Sequence, residues 1–185
     1  MDHLGRSFVG YGGTPPEPNG PGGAKLGLNL VLYFEEGSEP NQLDGDGMTA
    51  VGHTESPASP VPLDRRDLAA ESMFEYGARV GFWRIHRLFQ ERGLPYTVFA
   101  CAMAIERNPP AAKAIREAGL DVCCHGWRWI EHFKLTEDEE REHIRRAVAS
   151  LKQAPGKAPD GWYCRYGPSE NTRKPAVAHG GFLYV

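Results

Sequence analysis

The 185-residue chain has no apolar run near the roughly eighteen residues that cross a bilayer, and its N-terminus lacks both a basic n-region and an apolar h-region. A membrane span is excluded on that pattern, and the expected location is cytoplasmic. Cysteine is scarce: Cys101, Cys123, Cys124 and Cys164 lie inside apolar runs rather than at spaced loop positions. That suits reduced, buried thiols better than a disulfide framework. Charge of one sign is lacking too, since 21 basic against 24 acidic residues leave a net charge of −3. The basic pairs Arg65-Arg66, Arg145-Arg146 and Arg173-Lys174 are scattered and mostly offset by acids, so nucleic acid is not an expected partner. There is no internal repeat, and no compositional bias beyond the opening segment. What remains, 41% hydrophobic and 24% charged residues, is the composition of a folded, water-soluble domain with a sizeable core.

Residues 1–24 form an irregular segment, with seven Gly and four Pro in the first 23 positions. From Lys25 the pattern becomes that of a buried strand, ending in Val31-Leu32-Tyr33-Phe34. Glu35 to Asp67 is polar and rich in turn residues, a length that in a compact domain points to a functional loop. Residues 72–92 read as a helix ended by Gly93, and Tyr96–Met103 as a second strand. Residues 110–118 read as a short helix closed by Gly119, and Leu120–Cys124 as a third strand. Thr136 and Glu139 predict a capping box for the next helix, with Ile144, Ala147, Val148 and Leu151 on one face and Glu137/Arg141 and Glu142/Arg146 four apart. Trp162–Arg165 reads as a fourth strand, 172–178 as a short helix and Phe182–Val185 as the start of a fifth strand. Strands alternating with helices predict an α/β fold with parallel strands and ligands at their C-terminal ends. The apolar stop at Val185 suggests a fragment.

Three polar sets follow strand ends: Glu35 and Glu36, then His125 with Trp127, Arg128 and Trp129, then Arg165. Parallel topology would gather them on one rim. Adjacent carboxylates leaving an apolar strand disfavour each other's ionisation, so one is a candidate general base and a solvated acidic turn is the alternative. His125 reads equally as a structural histidine, and Trp127 and Trp129 as packing rather than a substrate platform.

The order of these sets is more specific. Tyr33-Phe34-Glu35-Glu36-Gly37, His125-Gly-Trp-Arg-Trp and Cys164-Arg165-Tyr166-Gly167-Pro168-Ser169 together resemble the first three motifs of the polysaccharide deacetylase (NodB-homology) superfamily. The similarity is greatest to its allantoinase-like branch, associated with urate catabolism, where an acidic pair before Gly replaces Asp-Asp-Gly. Residues 75–85, 98–99 with 102–109, and 161–163 leading to 171–173 extend the resemblance. It implies an α/β fold, a distorted (β/α) barrel of the NodB-homology type in residues 25–185, here incomplete with about five of seven strands. It also implies hydrolysis of a carbon-nitrogen amide bond without a covalent intermediate. Carried onto this sequence, Glu35 is the base and Arg165 its brace, both catalytic, while Glu36, His125 and Trp127 stand at the substrate or oxyanion.

The family's metal is held by the second acid and two histidines four apart. Here the residue four beyond His125 is Trp129, and His132 is seven beyond, too far along a helix to share an ion. No metal cofactor is therefore expected, a divalent ion through Glu36 and His125 being the minor alternative. The resemblance places the late motifs, including the general acid for the leaving nitrogen, after residue 185. Three functions compete: an allantoinase-like hydrolase opening a cyclic ureide, an N-acetyl-sugar deacetylase, and a truncated inactive fragment acting only as a binding or structural module. The first takes a small cyclic amide and, in a full-length parent, implies a homo-oligomer.

Overall fold

A computed structural model describes residues 8–55, 58–165 and 167–185. Residues 1–7 of the opening segment, Ser56 and Pro57 of the long loop, and Tyr166 of the third motif lie outside the described residues. Four parallel strands, β1 (Val31–Phe34), β2 (Thr97–Ala100), β3 (Asp121–Cys124) and β4 (Gly161–Trp162), pair in sequence order. Their register sets Phe34 beside Ala100, Ala100 beside Cys124 and Cys124 beside Trp162. Between them run α1 (Leu68–Tyr76), α2 (Phe82–Glu91), α3 (Ala102–Arg107), α4 (Pro109–Glu117) and α5 (Glu137–Gln153), and α6 (Arg173–His179) follows. The fold is α/β, as the alternation of patterns requires. Among the described residues no helix is long and apolar enough to cross a membrane.

Phe34, Val98, Ala100, Val122, Cys124 and Trp162 alternate onto the buried face of the sheet and pack with Ile105, Ile115, Ile144 and Leu151 from the helices. Local signals explain the helix starts. Asp67 caps α1 by accepting from Ala69 and Ala70 N–H at 3.0 and 3.1 Å. Thr136 and Glu139 form a reciprocal capping box on α5. Gly93 and Gly119, at φ of 61° and 62°, turn the chain out of α2 and α4. All four cysteines are free, with Cys101, Cys123 and Cys124 buried and Cys164 half-buried.

Several boundaries differ from expectation. The first strand begins at Val31, not Lys25, because Leu26 and Leu28 are 84% and 81% exposed and have no strand beside them in the sheet. The helix expected over 72–92 is interrupted by a π-turn at Gly77–Gly81. β2 stops at Ala100 rather than Met103, since Ala102 N–H bonds to Gly126 O and starts α3. The fourth strand is only Gly161–Trp162, and the fifth, expected over 182–185, is one parallel bridge from Tyr184 to Gly161. The expected Glu142/Arg146 pair is replaced by Glu142 with Arg145 at 2.6 Å, while Arg146 lies 3.7 Å over the Trp127 ring.

Candidate active site

The parallel ladder runs one residue past the strands: Cys101 N–H bonds to Phe34 O, His125 N–H to Ala100 O and Tyr163 N–H to Cys124 O. Glu35, His125 and Tyr163 therefore leave the sheet at the same edge. Immediately after Glu35 the chain turns through Gly37 at φ 93°, and both the backbone N–H and the hydroxyl of Ser38 donate to Glu35 O. Ser38 O in turn accepts from Trp129 N–H at 3.1 Å, stitching the β1 loop to the β3 loop.

Within this frame Glu35 Oε1 lies 2.8 Å from His125 Nε2, with the histidine side chain 3% and the glutamate 24% exposed. The other ring nitrogen, Nδ1, bonds to Tyr163 O. A carbonyl oxygen only accepts, so Nδ1 carries a hydrogen. Nε2 and an ionised carboxylate would both be acceptors, so one proton lies on the Glu35–His125 contact. The Tyr163 ring stacks on His125 with centroids 5.8 Å apart, and Tyr33 meets it edge-on at 5.3 Å. The imidazole is thus fixed in plane and tautomer, and one face of Glu35 is left toward a cleft of about 460 Å³. That cleft is walled by Glu36, Glu39, His53, Phe74, Tyr76 and Trp129 among others.

Glu36 turns toward the π-turn: a β-carbon on Gly77 would fall 2.3 Å from Glu36 Oε1, so the wide turn and the missing side chain make room for this carboxylate. Burial raises the Glu36 carboxyl above its usual range, and burial does the same to Glu39. Two arginines hold the loop that carries these acids. Arg107 grips Asp44 at 2.9 and 2.6 Å and donates to Gly37 O, while Arg128 grips Asp46 with two contacts of 2.6 Å and donates to Ser38 O and Glu39 O. The arginine contacts hold Asp44 and Asp46 below the ordinary aspartate range.

Three sequence assignments change in place or role. Trp127, expected at the substrate, is 3% exposed and packed under Arg146, so it belongs to the core. His125, expected to face an oxyanion, has both ring nitrogens engaged, one by Tyr163 O and one by Glu35, and stands behind the glutamate instead. Arg165, expected to brace Glu35, spreads its guanidinium 3.8 Å over the Trp129 ring and comes within 3.8 Å of Glu131. The stretch from His125 to His132 is loop and a short 3-10 turn rather than helix. Sequence reasoning missed the Tyr163 carbonyl, a backbone role with no residue signature, and His53, whose only signal was its place in the long loop after the first strand.

These donors do not fit a catalytic metal. Among the described residues no three His, Cys, Asp or Glu side chains converge. His125 is consumed by its two contacts, Glu36 faces Gly77, and the position of a second histidine is the apolar ring of Trp129.

The sequence profile of the polysaccharide deacetylase family matches residues 65–185, and the chain belongs to that family. Glu35 and Glu36 precede the matched stretch. A Schizosaccharomyces pombe protein bearing a polysaccharide deacetylase name is 37% identical over 173 residues, which is 91% of this chain and 54% of that protein. Two solved structures are each 42% identical over 97% of this chain and 59% of their own: a Pseudomonas aeruginosa PAO1 protein described as a polysaccharide deacetylase, at a TM-score of 0.90, and the PuuE allantoinase, at 0.89. The chain therefore spans a little over half the length of these relatives.

Proposed function

We propose that this chain carries the base side of a hydrolase that cleaves a carbon-nitrogen bond in a non-peptide amide, with a cyclic ureide such as allantoin as substrate. The observation that carries the reading is the Glu35–His125–Tyr163 carbonyl relay at the strand edge. Glu35 takes a proton from water as the water oxygen adds to the amide carbon. His125, anchored by Tyr163 O, holds the Glu35 carboxylate in place, and Arg165 supports the Trp129 wall of the cleft. A base fixed in this way contributes typically about 10²–10⁴-fold to rate.

Support for the ureide comes from the likeness to the PuuE allantoinase and from Trp129 standing in the cleft where the deacetylase pattern has a histidine. The second reading, an N-acetyl-sugar deacetylase, is favoured by the deacetylase names of the other relatives. Purine catabolism, a cytoplasmic setting and a homo-oligomer belong to the first reading as its corollaries. The test is turnover of allantoin against an N-acetylglucosamine oligomer by the complete protein. Faster release from the sugar, abolished by chelator, overturns both the substrate and the metal-free base.

A further inference from the structure

The cleft beside Glu35 shares one residue with a second hollow. Tyr76, 50% exposed at the end of α1, lines both the cleft and a groove of about 500 Å³ on the outer face of α2 that also carries Arg84, Ile85, Arg87 and Leu88. Across this lip Arg84 Nη1 donates to the Tyr76 hydroxyl at 2.8 Å. The π-turn Gly77–Gly81 lies between the two. Residues eight apart on an unbroken α-helix stand about 80° apart around the axis, while the extra residue that a π-turn absorbs brings such a pair close to the spacing of residues seven apart, about 20°. The arginine thus comes round to the face that carries the tyrosine. A guanidinium only donates, so the Tyr76 oxygen is the acceptor in this contact and its own hydrogen is left for another acceptor. The other two hydroxyls of the cleft are engaged: Thr54 donates to Val51 O and Ser72 to Ala69 O, each at 2.8 Å. Four carboxyl side chains, Glu35, Glu36, Glu39 and Glu55, line the same cleft. Tyr76 therefore offers a hydroxyl hydrogen in a cleft dominated by acceptors.

We propose that the Tyr76 hydroxyl binds a second carbonyl oxygen of the substrate, one that is not attacked, and that Arg84 is the positioning residue that holds it; the proposal rests on the reading of Glu35 as base in this cleft. Arg84, itself exposed, takes the oxygen of Tyr76 on the groove side and leaves its hydrogen pointing away from the groove. Because Tyr76 stands at the half-exposed lip, its bond to the substrate forms on entry and persists through the reaction, and binding of that uniform kind lowers KM without changing kcat. The substrate class that satisfies both sets of groups carries a further carbonyl beside its N–H groups, as a ureide does. An N-acetyl sugar unit has a single carbonyl, the one that is attacked.

The test is steady-state kinetics of the complete protein with allantoin and with an N-acetylglucosamine oligomer. Tyr76→Phe keeps the ring and removes only the hydroxyl, so the unfolding midpoint should hold. We expect its KM for allantoin to rise about tenfold with kcat within about twofold of the parent. Arg84→Met should raise KM by a few-fold in the parent and by nothing further in Tyr76→Phe, whereas Arg84→Lys, which can still donate to the hydroxyl, should stay near the parent. An unchanged KM in Tyr76→Phe, while Glu35→Gln is inactive, overturns the role of Tyr76 and leaves the base standing. A fall in kcat at unchanged KM places the hydroxyl on the attacked oxygen and overturns the second-carbonyl contact. An equal rise in KM from Arg84→Met in both backgrounds overturns positioning by Arg84. Full activity of Glu35→Gln, or turnover of the sugar oligomer and not of allantoin, overturns the reading of the cleft on which the proposal rests.

Discussion

In the cleft, Glu35 meets His125 at 2.8 Å with the glutamate partly open to solvent; seven residues further along the same loop, His132 lies 3.7 Å from Glu140 with neither side chain exposed. The two pairs have the same chemistry and opposite settings. His125 has both nitrogens matched, whereas His132 Nδ1 and Nε2 and Glu140 Oε2 are buried with no hydrogen-bond partner among the described residues. Glu140 keeps one contact, from the Ser169 hydroxyl, and Ser169 Oγ also receives N–H bonds from Asn171 and Thr172. The sealed pair thus ties α5 to the loop after β4, and Phe133 N–H to Gly167 O joins the loop after β3 to the same place. Burial pushes the His132 imidazole down to about 4, so it sits neutral at physiological pH. Proton traffic needs access as well as a matched partner, and only the outer pair has both.

The largest effect that would test this contrast is on rate. Glu35→Gln should lower kcat by about 10²–10⁴-fold with an unchanged unfolding midpoint. Glu140→Gln, which keeps the Ser169 contact, should leave kcat within a few-fold. If the two variants exchange these outcomes, the catalytic pair has been misassigned.

Stability should respond the other way. Glu140→Ala removes a buried hydrogen-bonded carboxylate and leaves a void, at a cost of about 2–4 kcal/mol in urea unfolding. A loss under about 0.5 kcal/mol would show that α5 and the β4 loop are held without it.

Acid should expose the sealed pair next. The folded His132 titrates at about 4 against an ordinary 6.5, so the unfolded chain binds the extra proton first. That contribution is intact above pH 6.5 and is lost as pH falls toward 4. His132→Leu should flatten this part of the stability profile, and a slope as steep as the parent's would place its origin elsewhere.

The smallest effect concerns Glu36, whose carboxyl burial raises. A raised pKa contributes stability at low pH that is lost as pH climbs through the folded value, so Glu36→Gln should raise the melting temperature at pH 8 by up to about 3 °C. Gly77→Ala meets the flexible Glu36 side chain, from Oε1 at 2.3 Å to Cγ at 3.0 Å, and should move Glu36 while costing little stability. A large loss of stability in Gly77→Ala would instead show the π-turn itself to be intolerant of a β-carbon.

Sequence reasoning reached what short-range physics controls. The α/β order, the capping box at Thr136, the stops at Gly93 and Gly119, and the placing of Glu35 and His125 just past strand ends all follow from periodicity, caps and turn residues within a few positions. Leu26 and Leu28 carry a strand pattern too, but a strand needs a partner at hydrogen-bonding distance, and the pattern cannot supply one. The packing of Gly77 was invisible because its neighbour there, the Glu36 side chain, arrives from a loop some forty residues earlier. Likewise Trp127 and Trp129, two residues apart in one loop, read alike; Arg146 from α5 claims the first, and Arg165 and His53 flank the second.

The sequence by itself therefore determined the alternating order of strands and helices and which strand ends carry ionisable side chains, since both are written in local spacing. Only the tertiary structure decided that His125 meets Glu35 and the Tyr163 carbonyl, that His132 is sealed away, and that His53 comes to the cleft. Each depends on a partner supplied by another element: the Tyr163 carbonyl, Glu140 and Trp129. Protonation and hydrogen bonding are set by what surrounds a group in space, and that exists only once the strands have paired and the helices have closed over them.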